Sequence, residues 1–205
     1  MLAFLKLMGW CACILYASVP WFWLLIHPRV DYWRSRKRSP YFVLLPVWIA
    51  MWIILALVTF HWRNAALYDA QWTWMPGAIL IAMGISVYVV SGKHFSATQI
   101  SGIAELLPTQ HEQRLVTTGI RQRVRHPIYL AHFCEMLGWS LGTGLVVCFA
   151  LTVFAVISGV VMIRLEEKEL EKRFGDQYLV YRQHVPAVFP WFASYNREVQ
   201  SSAND

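Results

Sequence analysis

Apolar positions in this chain do not alternate with polar ones; they run on without interruption. Uncharged stretches extend from Leu7 to Ile26, from Ser39 to Trp62, from Ala70 to Gly92 and from Met136 to Ile163. Each is close to or above the roughly 20 residues that cross a bilayer as helix. Segments that are hydrophobic all round have no polar face to turn toward water, so they are buried in a protein core or in lipid. The pattern predicts an all-α integral membrane protein. The first stretch is too long for a signal-peptide core and ends in His27-Pro28-Arg29 with no small-residue cleavage pattern, so it reads as a retained helix.

The basic residues set an expected orientation. Arg29, Arg34, Arg36, Lys37 and Arg38 crowd between the first two stretches, which places that loop in the cytoplasm by the positive-inside rule. The next loop, "HWRNAALYDAQW", has Arg63 as its one cation and is rich in aromatics, as at an outer interface. The third span then returns the chain to the cytoplasm. The last apolar region fixes the count: as a single helix, Ile128 to Ile163 would be about 54 Å long, against a hydrocarbon core of about 30 Å. One crossing would also export Arg164, Lys168, Lys172, Arg173, Arg182 and Arg197. A hairpin turning at Gly142 to Gly144 resolves both difficulties, with spans over Ile128–Leu141 and Leu145–Ile163. Sixteen of the eighteen Lys and Arg residues then lie inside, all but Lys6 and Arg63.

The expected fold is therefore five transmembrane helices, the last two a helical hairpin, followed by cytoplasmic interfacial helices, with the amino terminus outside and the carboxyl terminus inside. We treat residues 1–205 as a single membrane domain: three spans over 1–92, a loop, hairpin and carboxyl-terminal helices over 93–190, and a tail over 191–205 expected to be disordered. If the source is prokaryotic, the bacterial inner membrane is the expected location.

Composition agrees with this picture. The chain is 57% hydrophobic with eleven Trp and a mean hydropathy of +0.41, more apolar surface than a soluble domain of this length buries. Its net charge of +6 does not point to nucleic acid, because the cations flank membrane segments and no nucleic-acid motif accompanies them. Cys11, Cys13, Cys134 and Cys148 all lie in apolar segments without a Cys-x-x-Cys pair. They read as small buried side chains, with neither a disulfide framework nor a metal site expected.

Within this frame "RVRHPIYLAHFCEM" stands out. Pro127 suits the first turn of a helix, and His126 before it is expected to be extended. Arg125 and His126 then sit at a helix amino terminus, whose free N–H groups attract anions. Tyr129, His132 and Glu135 recur every three residues as a polar stripe, and an acid inside a span costs at least about 2.5 kcal/mol on insertion scales. Glu135 is a functional candidate on that ground. Glu166 and Glu167 follow the fifth span directly, so the hairpin returns them to the surface that carries Arg125 and His126. "EEKELEKRFG" continues the helix to a cap at Gly175, with Glu169, Glu171 and Lys172 read as a solvated interfacial face. A second short helix is expected from Asp176, with Tyr178, Tyr181 and Val185 on one face and Pro186 as its stop. Upstream, "LVTTG" is expected to turn, and Arg121, Arg123 and Arg125 to alternate along extended chain.

Together, "HFS" (His94 to Ser96), "LVTTG" (Leu115 to Gly119), "VRHPIY" (Val124 to Tyr129), "EEKEL" (Glu166 to Leu170), "FGDQYLVYRQHVP" (Phe174 to Pro186) and Phe189-Pro190 resemble the isoprenylcysteine carboxyl methyltransferase family, with phospholipid methyltransferases as relatives. The resemblance covers about half the chain. It implies S-adenosylmethionine as methyl donor, in a cytoplasm-facing pocket closed by the carboxyl-terminal segment, and a lipophilic or small O, S or N nucleophile as acceptor. It implies Gln113, Leu115, Val116, Gly119, Arg125, His126, Tyr129, Glu166 and Glu167 as cofactor-binding residues, the last two toward the amino group or ribose hydroxyls. Arg125, His126 and Glu135 are the catalytic candidates. Gln113 stands where family members often have His, and Gly119-Ile120-Arg121 replaces a common Gly-Pro-Tyr or Gly-Ile-Tyr. Membrane lipid is an expected partner; nucleic acid and metal are not. Two other readings fit parts of the pattern: an NADPH-dependent sterol-reductase-like enzyme, with Arg121, Arg123 and Arg125 meeting a 2'-phosphate, and a non-catalytic membrane scaffold.

Overall fold

A computed structural model describes residues 1–29, 32–33, 35, 40–92 and 115–190. Six α-helices occur among these residues: α1 (Leu2–Ile26), α2 (Tyr41–Thr59), α3 (Trp74–Gly92), α4 (Pro127–Thr143), α5 (Val146–Phe174) and α6 (Asp176–His184). With their flanking turns, α1, α2, α3 and α5 are long and apolar enough to cross a bilayer. At 17 residues, α4 is about 26 Å long and forms the ascending arm of the expected hairpin. Phe42, Leu57, Met75 and Trp72 are 79, 69, 71 and 74% exposed, a surface that water would not tolerate and lipid does. The chain is a multi-pass membrane protein.

The hairpin turns where glycine permits it. Thr143 ends α4, Gly144 adopts φ 66° and ψ 9°, and Leu145 leads into α5. A side chain at Gly144 would also meet the ring of Tyr68 at 2.9 Å. The loop between α2 and α3 seals this end, with backbone bonds Leu67 N to Gly144 O (2.8 Å) and Val146 N to Ala65 O (2.9 Å).

Lipid cannot drive helices together by the hydrophobic effect, so close backbone approach and polar bonds must do it. The tightest pair is α3 with α4: a Cβ on Gly77 would lie 2.7 Å from the Gly138 carbonyl, and one on Gly138 would lie 2.7 Å from the Gly77 carbonyl. Indoles tie α2 to α1, where Trp48 and Trp52 both donate to Ser18 Oγ at 2.8 and 2.7 Å. Apolar contact is densest where Trp10, Cys13 and Ala17 of α1 meet Met136 of α4 and Cys148 and Leu151 of α5.

At 29 residues, α5 is about 44 Å long and outruns a hydrocarbon core of about 30 Å. Its apolar part ends at Ile163, and the turns from Arg164 to Phe174 project beyond the membrane. Gly175, at φ 53°, breaks the helix, and α6 folds back with Tyr178, Tyr181 and Val185 buried against Leu115. We call this projecting part the cap.

Three expectations need correction. Residues Gly119–Gln122 form a 3₁₀ turn, not extended chain, because Gly119 takes φ 65° and starts a helical turn that Arg121 joins. Glu169 is not a solvated residue: its carboxylate meets the buried ring of His27 at 3.1 Å and pairs with Arg173, joining the end of α1 to the cap. Cys11 is exposed on the outside of α1, while Cys13, Cys134 and Cys148 are buried. Gln113, His94–Ser96 and the 191–205 tail lie outside the described residues.

Candidate functional site

The hairpin brings together two charged pairs about forty residues apart in sequence. His126 caps the amino terminus of α4 at φ −119° and ψ 66°, outside the helical region but short of the extended ψ expected before proline, because its carbonyl turns to accept from Leu130 N in the first turn; Pro127 follows, and the cap makes no side-chain hydrogen bond. Its ring lies between two carboxylates, with Nδ1 3.4 Å from Glu166 Oε2 and Nε2 3.2 Å from Glu167 Oε1. Arg125 is committed on every side. Its Nε and Nη2 donate to Glu167 Oε1 at 2.9 and 2.5 Å, and Nη1 donates to the carbonyls of Arg182 (3.0 Å) and Val185. Backbone bonds reinforce the contact, Arg125 N to Pro186 O at 2.9 Å and His126 N to Ala187 O at 2.8 Å. Arg125 thus fastens α6 and the segment after it over the end of α4.

The ionisation of the cluster is cooperative. Burial opposes a charge on Glu166, and the imidazole of His126 overrides it, pulling the carboxyl down to about 2. Glu167 is likewise lowered against the effect of burial by His126 and Arg125. For His126, burial pushes downward, and the two carboxylates outweigh it to raise the pKa. The two carboxylates therefore favour the imidazolium form of His126 against the effect of its burial.

Deeper in the bundle, the polar stripe of α4 finds partners on other helices. Tyr16 of α1 donates to Glu135 Oε2, and Gly84 of α3 leaves the room, since a Cβ there would lie 2.5 Å from Glu135 Cγ. The ring of His132 is flanked by Tyr16, Tyr88 and Tyr129 at centroid distances of 5.1, 5.4 and 6.4 Å. Tyr129 stands 6.0 Å from His126, so titratable rings file from the cap into the span.

Of the sequence-read candidates, Arg125, His126, Glu166 and Glu167 meet directly. Leu115 packs into the cap against Tyr178, Tyr181 and Val185, Val116 is half-buried beside it, and Gly119 opens the 3₁₀ turn. Tyr129 lies one turn along α4, and Glu135 is some 13 Å along the helix from His126. Sequence reasoning missed Tyr16 and Tyr88, whose only signal is a polar hydroxyl inside an uncharged span. It also missed Tyr178, whose buried hydroxyl has no hydrogen bond among the described residues.

A phospholipid methyltransferase family model matches residues 72–177. The chain belongs to the phospholipid methyltransferase family. Several curated proteins are similar to it at modest identity. A nickel-cobalt-cadmium resistance protein, NccN, of Alcaligenes xylosoxydans xylosoxydans is 28% identical over 71% of this chain and 63% of its own length. Mouse protein-S-isoprenylcysteine O-methyltransferase is 26% identical over 74% of this chain and 52% of its own length. Methanethiol S-methyltransferase 1 of Bradyrhizobium diazoefficiens is 35% identical over 38% of this chain and 27% of its own length. The chain thus spans roughly half the length of such curated relatives. No solved structure matches it. The resemblance read from "RHPIY" and "EEKEL" agrees with this membership.

The residues of the cap suit S-adenosylmethionine. Its methionine end carries a carboxylate and an ammonium, its ribose two hydroxyls. Against these the site offers uncapped helix N–H groups, two carboxylates, an imidazole and the unpartnered Tyr178 hydroxyl.

Proposed function

We propose that this protein is a membrane S-adenosylmethionine-dependent methyltransferase acting on a lipophilic or small nucleophile. The observation that carries the reading is the junction of Arg125-His126 with Glu166-Glu167, an anion-attracting helix start facing paired carboxylates at the membrane surface. The basic loop between α1 and α2 and the cations around the cap favour a cytoplasmic position for this junction, with the amino terminus outside.

Bound there, S-adenosylmethionine supplies an electrophilic methyl group on a sulfonium. The first-turn N–H groups of α4 would hold its carboxylate, as helix starts bind anions. Glu166 and Glu167 would hold the ammonium or the ribose hydroxyls, with Tyr129 one turn deeper along α4. Arg125 is a positioning residue, since its donors are spent on Glu167 and on the carbonyls of Arg182 and Val185. It keeps α6 over the pocket and so excludes water. Methyl transfer needs the nucleophile in line with the breaking bond, and such positioning lowers a barrier by up to about 7–11 kcal/mol in well-oriented systems. Acceptors enter sideways from the bilayer, between the helices that flank Tyr129.

Isothermal titration of the detergent-solubilised protein with S-adenosylhomocysteine tests this. Binding is expected for the wild type and is expected to be lost in Glu166→Gln/Glu167→Gln. A folded protein that binds neither S-adenosylhomocysteine nor S-adenosylmethionine overturns the reading. Membranes incubated with methyl-labelled S-adenosylmethionine then identify the acceptor.

A further inference from the structure

Beside the end of α1 lies a groove to which the cofactor reading gives no role. It encloses about 460 Å³ between the last turn of α1 and the first turns of α2, within the roughly 300–1,000 Å³ of small-ligand sites. Its two ends differ in polarity. Leu25 and the buried Leu44 line the apolar end, and Val43 and Val47, 54 and 40% exposed, open it to the bilayer. Val47 lies six residues beyond Tyr41, the first residue of α2, so this end reaches about 9 Å along the helix into the span. The other end holds Arg29, Tyr32 and Trp33. The Trp33 indole donates to the Leu25 carbonyl at 2.8 Å and meets the Tyr32 ring at 5.2 Å, an aromatic wall of the kind that marks a membrane interface. Arg29 is exposed, and among the described residues nothing pairs with its guanidinium.

We propose that this groove binds an anionic phospholipid of the leaflet on the cap's side, and that the bound lipid steadies the cap. An amphiphile with its head at Arg29 and a chain along Val43 and Val47 matches both ends of the groove. The guanidinium fork fits phosphate oxygens bidentately. Charge selects an anionic head over a zwitterionic one. Arg34, Arg36, Lys37 and Arg38 follow Arg29 in sequence, with Asp31 as the one acid before α2. Such a basic segment beside a span attracts anionic lipid, whereas the ammonium of a choline or ethanolamine head meets repulsion. None of the residues proposed to hold the cofactor lines the groove, so the lipid is a resident ligand and not a methyl acceptor.

The link to the cap is short. Arg29 closes the 3₁₀ turn that begins at His27. The His27 ring, stacked on Trp23 at 5.3 Å, meets the Glu169 carboxylate at 3.1 Å, and Glu169 follows Glu166 and Glu167 on α5 within one turn. A lipid that holds Arg29 therefore holds the turn that presents His27 to the cap.

Native mass spectrometry of delipidated protein, titrated with phosphatidylglycerol or with phosphatidylcholine of the same chains, reads the site. Hydrogen exchange in nanodiscs of either lipid reads the link. Wild-type protein is expected to retain one phosphatidylglycerol in preference to phosphatidylcholine. Arg29→Gln should reduce that preference about fivefold, the effect of one cation near an anionic lipid surface. Val47→Trp fills the apolar end and leaves the cation in place, and should lower phosphatidylglycerol retention at least about fivefold. Arg164→Gln, which removes an exposed cation at the end of the apolar part of α5 and outside the groove, should change nothing. Phosphatidylglycerol in place of phosphatidylcholine should slow exchange over Arg164–Phe174 at least about fivefold, the low end of coupling between sites. His27→Phe keeps a ring against Trp23 without the bond to Glu169, and should abolish that slowing. Equal retention of the two lipids overturns the site, as does retention untouched by Val47→Trp or a preference that Arg164→Gln reduces as much as Arg29→Gln. Exchange that is the same in both lipids, or slowing that survives in His27→Phe, overturns the link. Neither readout uses S-adenosylmethionine, so the result is independent of the methyltransferase reading.

Discussion

Replacing Arg125 by Met removes the fastening of the cap while keeping the side chain's bulk. The guanidinium is 9% exposed and its partner Glu167 15%, so solvent replaces little of what is lost. Four donations vanish: two to Glu167 Oε1 and one each to the carbonyls of Arg182 and Val185. Breaking one partner of a buried ion pair costs about 3–5 kcal/mol, and most of that cost falls on the contact between α6 and the end of α4. At about 1.4 kcal/mol per factor of ten, amide exchange over Asp176–His184 should accelerate roughly 10²- to 10³-fold, while the centres of α3 and α4 keep their protection. Hydrogen exchange with mass spectrometry in detergent reads this directly. Arg125→Met/Glu167→Leu should be less damaging than the two single changes summed, with a coupling of about 0.5–3 kcal/mol. Unchanged protection of α6 in Arg125→Met would refute the fastening role.

Gly84→Ala places a methyl group 2.5 Å from Glu135 Cγ and 2.9 Å from the Ala131 carbonyl; a loss of about 1–3 kcal/mol in thermal unfolding is expected. Gly144→Ala adds strain at φ 66° and a contact with Tyr68, and should destabilise the hairpin more than Gly92→Ala, where a Cβ meets nothing within 4 Å. The cap should be most stable in a pH window with two different edges. The His126 contribution is complete below its ordinary 6.5 and is lost as pH rises through its raised value. The Glu166 and Glu167 contributions are complete above their ordinary 4.5 and are lost as pH falls through their lowered values, about 2 for Glu166. Cap exchange rates measured against pH check this, and His126→Gln should remove the alkaline edge.

Much of the fold was legible because membrane physics leaves few choices. Length alone split Ile128–Ile163 into two helices, and glycine placed the turn. The amphipathic spacing of Tyr178, Tyr181 and Val185 placed α6, and the hairpin then put Glu166 and Glu167 beside His126. What escaped was partnership between distant segments. Nothing local to Glu169 marks it as the partner of His27, 142 residues away, because both lie at span edges where charge is expected anyway. Arg125 was expected among the cofactor-binding residues, whereas its donors go to Glu167 and to carbonyls whose position depends on how α6 folds back. Tyr16 and Tyr88 were invisible for a related reason: a tyrosine in a span reads as apolar until its neighbours are known.

The register of α3 against α4 is what makes these tyrosines consequential. The two helices run antiparallel, with Gly77 opposite Gly138 and Gly84 opposite Ala131 and Glu135. Seven residues along one helix thus match about seven back along the other, and one further turn of α3 delivers Tyr88 to His132. Because each glycine sits against backbone or the stem of Glu135, a slide by one turn, about 5.4 Å, would replace those glycines with branched neighbours and force the helices apart. The small residues therefore do more than allow close packing. They fix the height at which a hydroxyl from α3 meets the imidazole of α4, just as Gly144 fixes the height at which α5 returns its two glutamates to the cap. Glycine placement in the spans and charge placement at the surface together set the distance between the cofactor end of α4 and its buried acid, and that distance is what an acceptor has to bridge.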